Sequence, residues 1–273
     1  MATTKTNSNS QTDASKYKKL TDREHVLHAP DTYTGSMEPC DNDMYCFDNE
    51  TGRIVERNIS YIPGLFKLFD EAIVNCRDHA IRMASATGDD DHPVNNISVS
   101  VEEDGTVCFE NDGNGIDILK HPEHNLWIPE MIFAHLRTGT NYNKSEKKIV
   151  GGKNGFGVKL IFIWSTYGRV ETIDHKRGLK FIQEYHDNLT KIDEPKITKC
   201  KKKPYTKIVF KPDFARMKIT GFNPEMLALF KKRVYDISAV TSKSVKVKYN
   251  GDLVPCKTFQ TYIDTYIGGK GEV

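Results

Sequence analysis

The sequence predicts an α+β sandwich with a mostly antiparallel sheet. Two observations predict it: β-rich segments follow one another directly, and the segments with helical apolar spacing are gathered elsewhere in the chain. A parallel fold would instead alternate a strand with a helix throughout. At 273 residues, the chain is long enough to bury a core in one large domain or two small ones.

The first elements follow from local sequence signals. Residues 1–16 are rich in Ser, Thr, Asn and Gln and are predicted to form a disordered tail. A short helix is predicted around Asp22–Leu27 and ends before Pro30. The segment 44–59 is predicted to be a β-hairpin, because a turn cluster at Asn49–Gly52 separates two β-rich arms.

A long helix is predicted after Pro63, at about Gly64–Ala84. The apolar residues that recur there at helical spacing are Leu65, Phe66, Phe69, Ile73, Cys76, Ala80 and Met83. Alternating segments within 96–110 predict a second hairpin, turning at Asp104–Gly105. The segment 128–136 is predicted to be a helix with Pro129 near its start.

The second half begins with a loop rich in glycine and lysine, Thr138–Phe156, and loops of this length usually have a function or move. A buried helix is predicted at 157–165, another helix at 223–238 and a last hairpin at 244–254. Three successive strands are predicted between these helices, with the sequences GRVETIDH, LKFIQEYH and TKIVFKPD. The basic run KCKKK, 199–203, is interpreted as a solvated connection between strands rather than a DNA contact.

Bulk composition excludes several classes of protein. A net charge of +2 gives no electrostatic argument for a nucleic acid or a membrane as a direct partner. The six cysteines contain no CxxC pair, which favours reduced thiols over a disulfide framework or a zinc site. The polar start has no apolar signal region, and no apolar run approaches the roughly 20 residues that span a bilayer. We therefore expect an intracellular protein.

Three polar residues share one face of the predicted long helix. Relative to Glu71, Asn75 lies at about +40° and Asp78 at about −20° around the helix axis. For this triplet alone, a solvated face is the more common interpretation. The functional interpretation makes Glu71 a general base and Asn75 an oxygen ligand of Mg²⁺, with Asp78 near enough to support either role.

Two glycine-containing segments follow. Asp112 precedes Gly113 and Gly115, so its carboxylate could accept a hydrogen bond from the exocyclic amine of a flat ligand, although an ordinary Asx turn is the simpler interpretation. The segment 151–157 runs into a helix and could bind phosphate through backbone N–H groups, or could be only a flexible loop. It is not a P-loop, because Val158 follows its last glycine instead of Lys and Ser or Thr.

In combination, these segments resemble the N-terminal ATPase region of eukaryotic-type DNA topoisomerase II, a member of the GHKL ATPases. The resemblance runs from about Tyr17 to the C-terminus. The matching segments, in family order, are the strap (EHVLHAPDTYTGS), the first box (YIPGLFKLFDEAIVNCRDH), the second box (ENDGNGI), the phosphate-side loop (LRTGTNY) and the third box (GGKNGFGVKL). The implied fold is the GHKL (Bergerat) two-layer sandwich, with a mixed, mostly antiparallel sheet and helices on one face. The implied cofactors are ATP and Mg²⁺.

The resemblance also implies a role for each matching residue. Glu71 is the implied catalytic base, Asn75 the metal ligand and Asp112 the adenine reader, while Tyr33 of the strap approaches the partner's nucleotide. The other implied nucleotide-binding residues are Asp78, Gly115, Thr140, Asn141, Lys153, Asn154, Gly155, Phe156, Gly157 and Lys159.

The chain departs from the family pattern at some positions. His79 stands where Asn is usual, Gly139 replaces a common Ser, and Lys153 replaces an Arg. The QTK-type loop of the family's transducer, whose lysine reaches the γ-phosphate, does not occur in this sequence. We therefore expect a fragment with a strap at 17–40 and a GHKL domain at 41–273, truncated before the transducer. Such a fragment is expected to bind ATP·Mg²⁺ and to hydrolyse it weakly.

The implied function is that of an ATP-operated gate for duplex DNA. ATP closes two copies into a homodimer through the strap, in the nucleus or another compartment that contains DNA, and no membrane is involved. One alternative is another GHKL ATPase, such as a gyrase, MutL, a heat-shock chaperone or a histidine kinase. The strap and first box argue against the last two. The other alternative is a module that uses ATP only to dimerise, without hydrolysis.

Overall fold

The computed structural model describes residues 17–136 and 157–269, which contain six α-helices and eleven strands. The helices are α1 (Asp22–His28), α2 (Pro63–Ala84), α3 (Ile128–Ala134), α4 (Gly157–Ile163), α5 (Pro224–Ala239) and α6 (Phe259–Ile267). The strands are β1 (Cys40–Asp48), β2 (Arg53–Tyr61), β3 (Asn96–Val101), β4 (Val107–Asp112), β5 (Ser165–Asp174), β6 (Leu179–His186), β7 (Lys191–Ile192), β8 (Lys196–Lys199), β9 (Tyr205–Pro212), β10 (Lys246–Tyr249) and β11 (Asp252–Leu253).

A nine-stranded mixed sheet forms one layer of the structure. Its order is β11–β10–β3–β4–β9–β5–β6–β7, and β8 also pairs with β6. Every pair of neighbours is antiparallel except β10 and β3, which run parallel. The α+β fold class and the mostly antiparallel sheet are therefore confirmed.

The core lies where apolar side chains on one face of the sheet meet the helices. Phe109 of β4 is buried and contacts Phe69 of α2 edge-on, with ring centroids 5.0 Å apart. On its other side, Phe69 stacks on Phe230 of α5 at 4.2 Å, with the rings nearly parallel. Aromatic pairs of this kind add to the hydrophobic stabilisation from burial. One phenylalanine therefore joins α2, α5 and the sheet.

The strap is attached to the first turn of α2 through Gly64. The backbone N–H of Gly64 donates to the carbonyl of Ser36 at 2.8 Å. A Cβ added at Gly64 would lie 2.6 Å from the sulfur of Met37 and 2.9 Å from the Ser36 carbonyl oxygen. Only glycine allows this close approach between the strap and the helix.

The hairpin of β1 and β2 lies outside the main sheet and packs on α5. α6 continues this layer: Tyr262 donates to the carboxylate of Asp236 at 2.8 Å, and the ring of Tyr266 contacts Tyr45 edge-on. Among the helices of the described ranges, none is long and apolar enough to cross a membrane.

Within the described residues, most predicted elements are confirmed, with a few differences; the predicted tail at 1–16 and the predicted loop at 138–156 lie outside them. The helix predicted at 157–165 ends at Ile163, and Ser165 instead begins β5. The sequence prediction did not include β7, β8 or α6. The basic run at 199–203 leads from β8 to β9, as interpreted from the sequence.

Replacing Phe69 by alanine tests the aromatic contact. We expect Phe69→Ala to lower the free energy of unfolding by about 3–5 kcal/mol, because it removes a fully buried ring and leaves a cavity. Phe259→Ala is the matched control, because Phe259 is 74% exposed and its removal should change stability by less than about 0.5 kcal/mol. The measurement is denaturant unfolding of each variant. Equal stability losses would contradict the central role of Phe69.

Candidate active site

The polar face of α2 forms the centre of the candidate site. Glu71 and Asn75 are partly buried, and Asp78 is only 3% exposed. The side-chain nitrogen of Asn75 donates to the backbone carbonyl of Glu71 at 2.7 Å. This bond fixes the amide so that its oxygen is the atom available to a ligand. The structure thus brings these three predicted residues together on one helix.

Glu71 is paired with a lysine that the sequence analysis did not identify. The ammonium of Lys67 lies 2.7 Å from a carboxylate oxygen of Glu71 and 3.6 Å from Asp70. Burial alone would lower the pKa of Lys67, but hydrogen bonds and charge pairing with these two carboxylates raise it. The spacing of four residues on a helix was the available signal for this pair.

The carboxylate of Glu71 also lies directly against the backbone of Gly157, the first residue of α4. A Cβ added at Gly157 would overlap the second carboxylate oxygen of Glu71. Any side chain at this position would displace Glu71 or α4. The fold therefore brings the end of the glycine-rich segment 151–157 to the predicted general base.

The turn after β4 lies beside the same helix. Gly113 has a φ of +98°, and a Cβ there would lie 2.6 Å from Val94 and 3.2 Å from the imidazole of His79. Gly115 is needed for another reason, because a Cβ there would overlap the backbone carbonyl of Ile173 in β5. Both glycines thus let the turn approach its neighbours closely.

Asp112 does not face this site, contrary to the role that the resemblance implied. One carboxylate oxygen accepts from the backbone N–H groups of Asn95 and Asn96, at 2.6 and 2.8 Å. The other accepts from the side chain of Asn96 at 2.7 Å. The carboxylate therefore binds the start of β3 instead of facing α2.

Asn111 is the residue of this segment that lies on the helix side of the sheet. Side chains alternate along a strand, so Asn111 points the same way as Phe109, which contacts α2. Asn111 is 5% exposed, and its side-chain nitrogen donates to the backbone carbonyl of Asp112 at 2.7 Å. The sequence signal that could have identified it is the alternation of Val107 and Phe109, which Asn111 continues along β4.

His79 joins α2 to the glycine turn. One ring nitrogen lies 2.8 Å from the carbonyl of Asn114, and the other lies 3.2 Å from the guanidinium of Arg82. Burial, and secondarily the charge of Arg82, lower the pKa of His79 to about 4. The imidazole is therefore neutral near pH 7.

Lys159 and Tyr33 lie in different surroundings. Lys159 follows Gly157 on α4, and its side chain is 2% exposed; this burial lowers its pKa to about 8. Tyr33, in the strap, is half-buried, and its hydroxyl lies 2.9 Å from a ring nitrogen of His25 in the same chain. The other predicted site residues lie outside the described ranges, and they are Thr140, Asn141, Lys153, Asn154, Gly155 and Phe156.

Comparison with known proteins relates this chain to one group of enzymes. It is 42% identical to DNA topoisomerase 2 of Acanthamoeba polyphaga mimivirus over 269 residues, which is 97% of this chain and 20% of that protein. It is 40% identical to DNA topoisomerase 2 of Saccharomyces cerevisiae over 254 residues, 92% of this chain and 17% of that protein. The chain thus spans about a fifth of the length of these relatives. No model of a known protein family matches it.

Solved structures agree with the sequence relatives. The ATPase region of Saccharomyces cerevisiae topoisomerase II superposes with a TM-score of 0.87 at 39% identity, covering 93% of this chain and 65% of that one. The ATPase and transducer domains of topoisomerase II from Balamuthia mandrillaris give 0.85 at 35% identity, covering 92% and 63%. The ATPase domain of Thermus thermophilus gyrase B, at 0.60 and 19% identity, covers 86% and 51% and shares the fold alone. By sequence and by fold, this chain belongs to the DNA topoisomerase II family, as a counterpart of the GHKL ATPase region of those enzymes.

Proposed function

We propose that the chain binds ATP with Mg²⁺ beside α2 and hydrolyses it, as the nucleotide-binding part of a type II DNA topoisomerase. One observation carries the proposal: the carboxylate of Glu71 lies against Gly157, where the glycine-rich segment enters α4. The residue proposed as general base therefore contacts the last residue of the segment proposed to bind phosphate. The family relationship supplies the reaction class.

Glu71 is positioned to act as the base. It would take a proton from a water molecule while the water oxygen bonds to the γ-phosphorus and the bond to the bridging oxygen breaks, which releases ADP. The ion pair with Lys67 orients the carboxylate, since the ammonium contacts one oxygen at 2.7 Å. The other oxygen lies on the side of Gly157 and would be the one to accept the proton from the water.

The residues present fit Mg²⁺. The amide oxygen of Asn75 is a neutral, hard ligand, and the bond from its nitrogen to Glu71 fixes its direction. Asp78, one turn further on and 3% exposed, would support binding of the ion. When bound, Mg²⁺ would offset the negative charge of the phosphates.

The adenine and the phosphates of ATP would contact different elements of the structure. The side-chain oxygen of Asn111, on the helix side of the sheet, is suited to accept a hydrogen bond from the exocyclic amine of adenine, the role first given to Asp112. Lys159 carries a buried positive charge on α4, beyond Gly157, and a nearby phosphate would stabilise that charge. Thr140, Asn141 and the segment 153–156 remain proposed phosphate and ribose contacts.

In the whole protein, we propose that ATP closes two copies of this domain through the strap around duplex DNA. The support is the name DNA topoisomerase 2 of the relatives, which span the chain almost completely. Such an enzyme would work in the nucleus or in another compartment that contains DNA. The weak hydrolysis expected from the sequence also remains part of this proposal.

The general base is tested with Glu71→Gln. We expect the rate of ATP hydrolysis to fall at least about 10²-fold with little change in ATP affinity, because the amide cannot accept the proton. Glu110→Gln is the control, since Glu110 is 45% exposed and pairs with Lys207 away from α2. Unchanged turnover in Glu71→Gln would instead support a module that dimerises without using Glu71.

The metal ligand is tested with Asn75→Ala. Calorimetric titration should show about tenfold weaker binding of ATP in Mg²⁺, with no change when EDTA removes the metal. Asn58→Ala, on an exposed strand of the outer hairpin, should behave as the unmodified chain. Equal weakening with and without Mg²⁺ would argue against Asn75 as a metal ligand.

Dimerisation is tested by light scattering with a non-hydrolysable ATP analogue. The mass of 31.1 kDa should double when the analogue and Mg²⁺ are present. Tyr33→Ala should weaken the dimer, because Tyr33 belongs to the strap, and Tyr45→Ala on the outer hairpin should not. A mass that stays at one chain would contradict nucleotide-driven closure of this domain.

A further inference from the structure

His79 holds the glycine turn after β4 at a fixed distance from α2. We propose that His79 is a positioning residue for the adenine end of the nucleotide site, acting through the backbone carbonyl of Asn114. The inference rests on the proposed ATP site and adds a residue to it. It concerns a feature of this chain, because the resembled family usually has asparagine at this position.

The hydrogen bonds of His79 select one tautomer. Arg82 can only donate, so the nitrogen that it contacts at 3.2 Å, Nδ1, must present a lone pair. The proton of the neutral ring therefore lies on Nε2, which donates to the Asn114 carbonyl at 2.8 Å. Arg82 thus donates a hydrogen bond to the imidazole of His79, and the imidazole donates one to the backbone carbonyl of Asn114.

The turn is fixed from its other side as well. The side-chain oxygen of Asn114 accepts from the backbone N–H of His92 at 2.7 Å, and its nitrogen donates to Asp91 at 2.7 Å. Gly113 lies between these contacts, with room for no side chain next to Val94 and the imidazole. His79 is therefore a direct contact between α2 and this turn.

The charges around His79 favour this arrangement. The positive charge of Arg82, on the same helix, disfavours protonation of the His79 imidazole. The negative charge of Asp112, from β4, favours protonation, but its effect is the smaller of the two. The charge of Asp78, four residues earlier on the same helix, attracts the guanidinium of Arg82. A protonated imidazole would direct an N–H group at the guanidinium and would lose the contact to Arg82.

This placement makes a selective prediction. The turn follows Asn111, which we propose as the contact to adenine, whereas Glu71 and Gly157 serve the phosphates. Loss of the contact between His79 and Asn114 should therefore weaken the recognition of the base and leave the recognition of the phosphate chain intact. A general loss of folding would weaken both.

The test uses the 273-residue chain with His79→Leu and His79→Gln. Leucine keeps bulk but cannot donate, whereas the nitrogen of glutamine can occupy the place of Nε2 without titrating. Calorimetric titration of the non-hydrolysable ATP analogue should show about tenfold weaker binding for His79→Leu. It should show binding within about twofold of the unmodified chain for His79→Gln. Inorganic tripolyphosphate should bind all three proteins equally.

Other outcomes separate this inference from the proposed function. If the unmodified chain binds no ATP analogue, the proposed function fails. If it does bind and His79→Leu binds equally well, or loses the analogue and tripolyphosphate in equal measure, the positioning role is overturned. Should His79→Leu not fold, His79→Met gives the same comparison, because its side chain has bulk but no N–H to donate to Asn114. Unchanged binding of the analogue by His79→Met would then overturn the inference.

Discussion

The contact of Phe69 with Phe230 and Phe109 sets the rotation of α2, and the rest of the site depends on that rotation. With this ring fixed between α5 and the sheet, the opposite side of the helix must present Glu71 and Asn75. A helix rotated by one residue would turn these side chains by about 100°. The buried aromatic contact therefore specifies where the polar chemistry occurs.

Local sequence patterns predicted the elements that have a clear period. The apolar spacing from Leu65 to Met83 predicted α2 within one residue of its start, and alternation predicted β3 and β4. α6 was missed because its polar threonines mask the apolar residues from Phe259 to Ile267, which do recur at helical spacing. β7 and β8 are short polar segments whose strand structure comes from pairing with β6.

The candidate site was predictable where one helix carries it and less so where it depends on the sheet. Helical geometry alone grouped Glu71 with Asn75. The motif at Asp112, however, does not indicate to which face of the sheet each side chain points. Neighbouring residues on a strand point to opposite faces, so a shift of one residue exchanges Asp112 for Asn111. The contact of Glu71 with Gly157 joins segments that are far apart in the chain, so no local pattern could reveal it.

The close contact at Gly64 has a mechanical consequence. The strap backbone is hydrogen-bonded to the first turn of α2 without an intervening side chain. A movement of the strap should therefore be transmitted directly to the helix. Glu71 is seven residues further along, about 10 Å of helix. A displacement of the strap by a docking neighbour would thus also shift the helix that carries the Glu71 carboxylate. A larger residue at position 64 would separate the strap from the helix and remove this coupling.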